Sequence, residues 1–478
     1  MLPAVIKSVS QKHGENTAYV SADARKITYS DLDRTSDEMA VWLTQKGIGE
    51  GSVAALCLPS CIEYIISYLA LAKIGSITAG INPRFTSHER ADALETLNPD
   101  IVITAKGSDA GVETKYPKTV IQLNQTDLMH SHRIKDSYPQ SLDEDDNRPV
   151  CICFTSGSSG KPKGALFTNK QLKAISDLDT GGSWGGGGHR YASTEFAHVG
   201  VMTKLPWLLA SGGTTHLIEK WRAEPILRLI HEHRISAVSA IAPQVALMLK
   251  VDGLDRYDFS CVKAIVSGGA LASPELVKAG RDFFDAPWSI RYSSTESGGV
   301  GLGTSLDADD QEALYTVGRP RSGVEASIRD DEGLLVTVGE IGEIWLRSDA
   351  IMSCYWNDPH STQETIIEGW LKTGDLAFQD SRGCFHLAGR TSEMFIRGGY
   401  NIFPLEIEKV LSTHQSISEV AVIGVPDKIF GEVIACFVKF NSSYKLGEDE
   451  LKKFIRIKLS AQKTPKYWIN IEEWPLTG

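Results

Sequence analysis

The sequence predicts an α/β protein with a large N-terminal domain of helix-covered sheets and a small α+β C-terminal domain. Its 478 residues exceed what one ordinary hydrophobic core accommodates. Apolar runs typical of buried strands alternate with segments of helical period through the first half. Past about Gly389 this pattern gives way to a compact α+β series. We therefore expect two domains, at residues 1–390 and 391–478.

Each predicted element depends on a local signal. Ser30 can cap a helix that stops at Gly47, and Thr86 and Glu89 form a capping box before another helix. The strands are near-continuous apolar runs, as in buried parallel sheets. In chain order we predict a helix at residues 30–46, a strand at 53–58, a helix and then a strand within 61–80, a helix at 86–97, strands at 101–104 and 150–154, a helix at 225–233, strands at 237–241 and 262–266, a helix at 406–411, strands at 420–425 and 433–440, and a helix at 448–459.

Bulk features argue against several classes of function. The formal net charge of −11 opposes nonspecific binding to nucleic acid. The most apolar window, residues 61–80, contains Glu63 and Lys73, so it favours a buried helix over a membrane span. No signal peptide is expected at the N-terminus. Eight scattered cysteines without a C-x-x-C pair predict a reduced cytoplasmic protein, with Cys151 and Cys153 packed in the core.

A turn rich in hydroxyl groups, glycine and lysine follows the strand at 150–154. Residues 155–164 read TSGSSGKPKG. Hydroxyls and backbone N–H groups donate to phosphate oxygens, glycines permit close approach, and lysines supply charge. The two lysines and the preceding strand argue against a flexible Ser/Gly linker. A mononucleotide P-loop fails because Thr155 replaces its first glycine and Pro162 its Ser/Thr. The turn predicts a polyphosphate ligand, that of ATP.

This turn resembles the signature of the adenylate-forming superfamily, which includes acyl-CoA synthetases, peptide-synthetase adenylation domains and beetle luciferases. Other segments resemble further motifs of that family, in the same order, and the resemblance covers nearly the whole chain. They are FAHVG at 196–200, SGGA at 267–270, YSSTE at 292–296, KTGD at 372–375, GRTSE at 389–393 and RGGYNIFPLEIE at 397–408. The last of these is similar to the acyl-CoA synthetase version of its motif.

The resemblance implies roles for individual residues. The turn would grip the β- and γ-phosphates, Glu296 would hold magnesium, and Asp375 would accept hydrogen bonds from ribose. The segment at 267–270 would contact adenine, that at 196–200 would belong to the acyl pocket, and the glycines of that at 397–408 would line the tunnel for the CoA arm. The implied catalytic residues are Thr155, Lys163, His198, Thr295 and Glu296, with Glu296 also the metal ligand. The implied cofactor-binding residues are Ser156, Gly157, Ser158, Ser159, Gly160, Lys161, Gly268, Gly269, Ala270, Tyr292, Ser293, Asp375, Arg390, Arg397, Gly398 and Gly399.

The chain departs from the family pattern at four places. Ser293 stands where the family usually has glycine, and Ser392 stands at the hinge position that is usually Asp or Lys. The sequence ends in WPLTG, at the start of the family's last motif, P-x-T-x-x-G-K. We expect the adenylation lysine of that motif to follow Gly478 in a longer chain; its real absence would impair adenylation. The six-glycine segment 181–188 is unusual for the family and is either a lid or a surface loop.

The resemblance implies an ATP-dependent acyl-CoA ligase with a mobile C-terminal domain. It would convert a carboxylic acid to an acyl-adenylate and then to a CoA thioester, using ATP, Mg²⁺ and coenzyme A. Three alternatives stay open: a thioesterification-only ligase, an adenylation enzyme that loads a carrier protein, and a non-catalytic binder of nucleotide or acyl-adenylate. No nucleic-acid partner and no membrane span are expected. The sequence identifies neither the acid nor the oligomeric state.

Overall fold

The computed structural model describes residues 1–106, 119–123, 132–155, 161–183, 186–192, 194–218, 220–270, 272–441 and 447–474. The chain forms two compact units. The larger comprises Met1–Glu325 and Leu346–Leu371, and the smaller comprises Ala326–Trp345 and Lys372–Gly478. A mixed α/β fold with a large N-terminal and a small C-terminal domain confirms the predicted fold class. The predicted boundary at residues 390/391 stays a prediction.

Helices and strands alternate along most of the described chain. The helices are α1 (Leu2–His13), α2 (Tyr29–Gln45), α3 (Ile62–Lys73), α4 (Ser87–Leu97), α5 (Asn169–Thr180), α6 (Val199–Met202), α7 (Leu205–Ala210), α8 (Ala223–His233), α9 (Ala242–Met248), α10 (Pro274–Phe284), α11 (Asp310–Tyr315), α12 (Pro359–Thr365), α13 (Pro404–Ser412) and α14 (Glu448–Lys458). The strands are β1 (Thr17–Val20), β2 (Lys26–Thr28), β3 (Val53–Cys57), β4 (Ile77–Gly80), β5 (Ile101–Ala105), β6 (Thr119–Leu123), β7 (Pro149–Thr155), β8 (Lys163–Thr168), β9 (His189–Tyr191), β10 (Thr214–His216), β11 (Ala237–Ser239), β12 (Ala264–Gly268), β13 (Trp288–Tyr292), β14 (Leu302–Gly303), β15 (Arg319–Pro320), β16 (Glu325–Arg329), β17 (Gly342–Arg347), β18 (Cys354–Tyr355), β19 (Ile366–Ile367), β20 (Trp370–Gln379), β21 (Phe385–Arg390), β22 (Phe395–Arg397), β23 (Tyr400–Ile402), β24 (Ile417–Asp427), β25 (Gly431–Phe440) and β26 (Tyr467–Asn470).

Two sheets of the larger unit carry most of the expected site residues. The seven-stranded sheet has the order β18-β8-β7-β4-β3-β5-β6, and it is parallel from β7 to β6. The predicted strands of this sheet pair in parallel, whereas β8 and β18, at which no strand was predicted, run antiparallel to their neighbours. The chain turns directly from β7 into β8, and a direct turn can only produce an antiparallel pair. In the sheet β11-β12-β13-β14-β15, the first three strands are parallel and the others antiparallel.

The most apolar window of the sequence is a buried helix followed by a strand, as predicted. Every residue of α3 is buried. Its Lys73 ammonium lies 2.6 Å from the Asp33 carboxylate and 2.7 Å from that of Asp37, and Arg25 pairs with Glu63 at 2.7 Å. These ion pairs compensate buried charges, which would be costly if they were unpaired in the low-dielectric interior. No helix of the described ranges has the length and apolarity that crossing a membrane requires.

Local signals located the helices well but misassigned one cap. Thr86 and Glu89 form the predicted capping box of α4. Helix α2, however, begins at Tyr29 with Thr28 as its N-cap, and the Thr28 hydroxyl accepts the Asp31 N–H; the assignment of the cap to Ser30 is wrong. Cys151 and Cys153 are both fully buried on β7, which confirms their predicted place in the core.

The smaller unit contains an α+β layer built on the sheet β23-β22-β25-β24, with β26 paired to β25. Apolar side chains of α13 and α14 bury against this sheet, among them Ile407, Leu411, Leu451 and Ile455. The helices and strands predicted after residue 400 all occur at their expected places. The strands β16, β17, β20 and β21 belong to a further sheet. These strands carry the segment in which Asp375 and Arg390 occur.

Candidate active site

The predicted phosphate-binding turn connects two antiparallel strands. Thr155 ends β7, Lys163 begins β8, and the two residues are register partners. Ser156, Gly157, Ser158, Ser159 and Gly160 lie outside the described residues, and Lys161 is exposed. A strand, not a helix, follows the turn along the chain. The lysines are the cationic groups that this segment offers to phosphate, and hydroxyls and backbone N–H groups can add hydrogen bonds.

Lys163 and Glu296 meet through Tyr355. The Lys163 ammonium lies 5.3 Å from the centroid of the Tyr355 ring, and the Tyr355 hydroxyl donates to Glu296 Oε1 at 2.7 Å. The ammonium is attracted by the ring face. Burial and the neighbouring carboxylate raise the pKa of the Tyr355 phenol, so the hydroxyl stays protonated and donates. The buried Tyr355 ring thereby has a positive group over its face and a negative group at its hydroxyl.

Strand pairing holds Tyr355 beside the turn. The two-residue strand β18 runs antiparallel to β8, with Tyr355 opposite Ala165, and Trp356 N–H donates to Gly164 O at 2.7 Å. A Cβ atom on Gly164 would lie 2.6 Å from the Ile152 side chain, so only glycine fits there. The hairpin therefore packs closely at the residue that follows Lys163.

A second contact fixes the Lys163 side chain. Its ammonium donates to Ser361 Oγ at 2.8 Å. Ser361 lies in the first turn of α12, where the N-cap Asp358 side chain accepts the Ser361 N–H at 2.9 Å. Neither Ser361 nor Tyr355 was predicted as a site residue from the sequence. A strand of two residues has no readable periodicity, and the order of the chain does not reveal that β18 pairs with β8.

The predicted magnesium carboxylate lies on a tight turn after β13. Tyr292 ends β13, and Ser294 and Ser297 exchange hydrogen bonds around the turn that contains Thr295 and Glu296. Met352 N–H also donates to Glu296 O at 2.8 Å. Ser293, where the family usually has glycine, is exposed. The described contacts of the Glu296 side chain engage Oε1, and carboxylate oxygens are the protein ligands that Mg²⁺ prefers.

The predicted adenine segment lies next to this turn. Strands β12 and β13 are parallel, with Gly268 opposite Arg291, so their carboxyl ends reach the same edge of the sheet. A Cβ on Gly268 would lie 2.8 Å from Arg291 O, and Gly269 has φ +75°. Gly269 and Ala270 are exposed. The bare backbone beside Tyr292 can take a flat ring at a strand end, where α/β sheets commonly bind ligands.

His198 also lies in the larger unit, in a segment that packs on β4, the parallel neighbour of β7. It is the N-cap residue of α6, makes no side-chain cap hydrogen bond, and is exposed. The segment around it packs tightly on the end of β4, because a Cβ on Gly80 would lie 2.7 Å from Ala197 Cα. No described contact joins the His198 side chain to Lys163 or Glu296. Its proposed place at the acyl pocket stays a prediction.

In the smaller unit, two predicted ligands are bonded to each other. Asp375 and Arg390 are register partners on β20 and β21, and the Arg390 guanidinium donates to Asp375 Oδ1 at 2.8 Å. Asp375 is 8% exposed. Thr391 N–H donates to Gly374 O at 2.9 Å, and Gly374 has φ +73°. The sequence placed both residues at one ligand but gave no sign of their pairing across a hairpin.

The predicted CoA-tunnel segment is a two-residue hairpin. Gly398 and Gly399 join β22 to β23 with φ values of +57° and +86°, as a type I′ turn requires. The Arg397 guanidinium donates to Gln462 O at 2.5 Å and to Thr464 O at 2.9 Å. Arg397 therefore holds its own unit together, and its role as a cofactor ligand stays a prediction.

These features have one chemical character. The larger unit combines a lysine-bearing turn with a nearby carboxylate and a glycine-lined strand end, and the fold adds a small C-terminal domain. This is the arrangement of an adenylate-forming ligase, an enzyme that activates a carboxylic acid with ATP. The chain belongs to the AMP-binding enzyme family: the model of that family matches residues 6–356, and the model of the AMP-binding enzyme C-terminal domain matches residues 406–478.

Similar proteins are AMP-forming ligases of several kinds. The chain is 28% identical over 479 residues to the long-chain-fatty-acid–CoA ligase FadD13 of Mycobacterium tuberculosis, covering 96% of this chain and 92% of that protein. It is 26% identical to the fatty acid–[acyl-carrier-protein] ligase ScoC of Streptomyces coeruleorubidus, with 98% and 92% covered. The solved structure of the amide bond synthetase McbA from Marinactinospora thermotolerans matches with a TM-score of 0.89 and 27% identity, covering 100% of this chain and 97% of that one.

Replacing Asp375 by asparagine is expected to raise the KM for ATP roughly 10- to 100-fold, because a hydrogen bond to a charged group contributes about 1.5–3 kcal/mol. The measurement is initial velocity against ATP concentration. Asp331→Asn, which alters an exposed carboxylate of the same unit, is the matched control. Thermal unfolding of both variants reports the stability lost with the Arg390 pair. An unchanged KM for ATP would remove Asp375 as the ribose ligand.

Proposed function

We propose that this protein is an ATP-dependent carboxylate–CoA ligase. In the first half-reaction, a carboxylate oxygen attacks the α-phosphorus of ATP, the bond to the bridging oxygen breaks, and pyrophosphate leaves. In the second, the CoA thiolate attacks the acyl carbon of the mixed anhydride and AMP leaves. The observation that carries this proposal is the convergence of Lys163 and Glu296 on Tyr355.

The charges of this network suit the first half-reaction. Pyrophosphate gains negative charge as it leaves, and a fixed ammonium beside it lowers the barrier electrostatically. Lys163 is held by Ser361 and the Tyr355 ring, so it needs little reorganisation. The hydroxyls of Ser156, Ser158 and Ser159 and the Lys161 ammonium would orient the same phosphates. Glu296 would hold Mg²⁺, which supplies charge neutralisation for the phosphates when bound.

The strand ends of the larger unit and residues of the smaller unit would bind the other parts of ATP and CoA. Adenine would lie on the backbone of residues 268–270 beside Tyr292. The ribose hydroxyls would donate hydrogen bonds to Asp375, with Arg390 as its neighbour. Between the half-reactions, the small domain would rotate about the segment at Ser392, and Gly398 and Gly399 would then line the path of the CoA arm. A few residues at a domain boundary can absorb such a rotation.

The main alternative to a CoA ligase differs in the molecule that accepts the acyl group. FadD13 is named a CoA ligase, whereas ScoC is named a ligase of an acyl-carrier protein and McbA an amide bond synthetase. All three names are compatible with one activation step and different nucleophiles in the second. Loading of a carrier protein is therefore our second candidate. The RGGYNIFPLEIE segment resembles the acyl-CoA synthetase motif and favours CoA.

The decisive experiment is ATP–pyrophosphate exchange across a panel of fatty, aromatic and polycyclic acids. We expect exchange that depends on one acid class, and loss of that exchange in Glu296→Gln. CoA and a carrier protein are then compared as acceptors for the active acid. Thioester formation from supplied acyl-adenylate without any exchange would indicate a thioesterification-only enzyme. ATP binding without either half-reaction would leave a non-catalytic binder and refute the proposal.

A further inference from the structure

Three histidines from separate elements converge on a cavity of the larger unit. His189 begins β9, His216 ends β10, and His233 ends α8. Each offers one ring nitrogen, and these nitrogens all lie within 4.8 Å of one another. None of the three belongs to the proposed ATP, acyl or CoA sites. The proposed ligase function therefore does not account for the close approach of the three histidines.

Regular backbone positions this cluster. Strands β9 and β10 are parallel neighbours, with His189 opposite Thr214 and Tyr191 opposite His216. Residues two apart on a strand share a face, so His189 and His216 project from the same face of the sheet. Helix α8 ends at His233 on that face. Donors on sheet and helix ends are held more precisely than donors on loops.

The spacing of the ring nitrogens approaches that of a metal-binding triad. His189 Nδ1 lies 3.0 Å from His216 Nε2, and the ring centroids of His233 lie 4.8 Å from His189 and 4.2 Å from His216. With Zn–N bonds of about 2.0–2.1 Å, tetrahedral ligands lie about 3.4 Å apart. One pair already has nearly this spacing, whereas the rings of His189 and His233 are stacked at an interplanar angle of 20°, so the third nitrogen must reach the ion by side-chain rotation. Imidazole is the donor that Zn²⁺ and its transition-metal neighbours accept most often.

The surroundings leave room for a fourth ligand. The histidines line a cavity of about 990 Å³, whose wall also carries Lys26, Lys220, Arg222 and Arg228. Among the described residues of that wall there is no Asp or Glu. These four cations disfavour a bare dication, whereas an anion at the fourth position offsets part of the repulsion and is itself attracted by them. The wall thus favours a carboxylate or phosphate on the open position.

We propose that His189, His216 and His233 bind one Zn²⁺ ion, with the fourth position open to the cavity for an anion. Three protein ligands and an open position are typical of zinc sites that bind or activate small molecules. The proposal does not depend on the ligase function, because it concerns different residues.

Metal titration of the full chain tests the site directly. After treatment with EDTA and removal of the chelator, calorimetry is expected to show one Zn²⁺ per chain, and Co²⁺ should produce the visible absorption of a four-coordinate site. His189→Ala should weaken Zn²⁺ binding by at least about 100-fold, since loss of even an outer-shell partner costs 10- to 100-fold. His88→Ala, which removes a histidine whose side chain is 86% exposed, is the matched control and should bind as the wild type does.

The anion is tested separately with inorganic phosphate. Phosphate should shift the Co²⁺ spectrum of the wild type, and Arg228→Ala should weaken that response. His189 is exposed, so its alanine variant is expected to keep the wild-type melting temperature without metal. Zn²⁺ should raise that temperature in the wild type and in His88→Ala but not in His189→Ala. Equal Zn²⁺ affinity in the wild type and His189→Ala, or no stoichiometric binding, would overturn the proposal.

Discussion

Replacement of Lys163 by methionine is expected to lower the rate of adenylation by about 100- to 1000-fold, which corresponds to about 2.7–4 kcal/mol of lost transition-state stabilisation. Methionine keeps most of the side chain's length but removes the ammonium, which lies 2.8 Å from Ser361 Oγ and 5.3 Å from the centroid of the Tyr355 ring. Use of a supplied acyl-adenylate should change little, because pyrophosphate has already left in that reaction.

The measurement compares ATP–pyrophosphate exchange with thioester formation from acyl-adenylate on the same variant. Lys173→Met is the matched control, since Lys173 is an exposed lysine of α5 that pairs with Asp177 at 3.0 Å. It should keep both rates. Equal losses of both half-reactions in Lys163→Met would contradict a role on the leaving phosphates and would indicate a disturbed hairpin.

Elements with strong local signals could be predicted from the sequence. Helix α4 is defined by the capping box of Thr86 and Glu89, and β3 by an unbroken apolar run, because these signals act within one turn or one strand. Strand β8 was not among the predicted strands, although its antiparallel direction follows from the short connection to β7. The pairing of β18 with β8 could not be predicted in the same way, because it joins segments far apart in the chain.

The same distinction applies to the site. Glu296 and Lys163 were identified because each lies in a recognisable segment, whereas Tyr355 and Ser361 lie in segments whose sequence has no such mark. Their importance arises only when β18 pairs with β8 and α12 presents its first turn to the lysine. The pairing of Asp375 with Arg390 was missed for the same reason, since only the register of β20 and β21 creates it.

Replacement of Gly398 by tryptophan is expected to reduce thioester formation roughly 100-fold or more while leaving ATP–pyrophosphate exchange within about twofold. Displacement of a reacting group by about 1 Å can cost this much, and an indole on the proposed CoA path would displace the thiol further. Gly398 has φ +57°, and a Cβ there would lie 3.1 Å from Phe430 Cδ1. Part of any effect will therefore be local strain of about 1–2 kcal/mol.

Gly383→Trp separates this strain from the effect on CoA. Gly383 is also a turn glycine of the smaller unit, with φ +81°, and a Cβ there would lie 3.8 Å from its nearest neighbour, Gln379 Nε2. It should lose similar stability in thermal unfolding but keep both half-reactions. If Gly398→Trp forms thioester at the wild-type rate, residues 398 and 399 do not line the CoA path. If it loses exchange and thioester formation equally, the hairpin serves adenylation as well, and the assignment of separate surfaces to the two half-reactions is wrong.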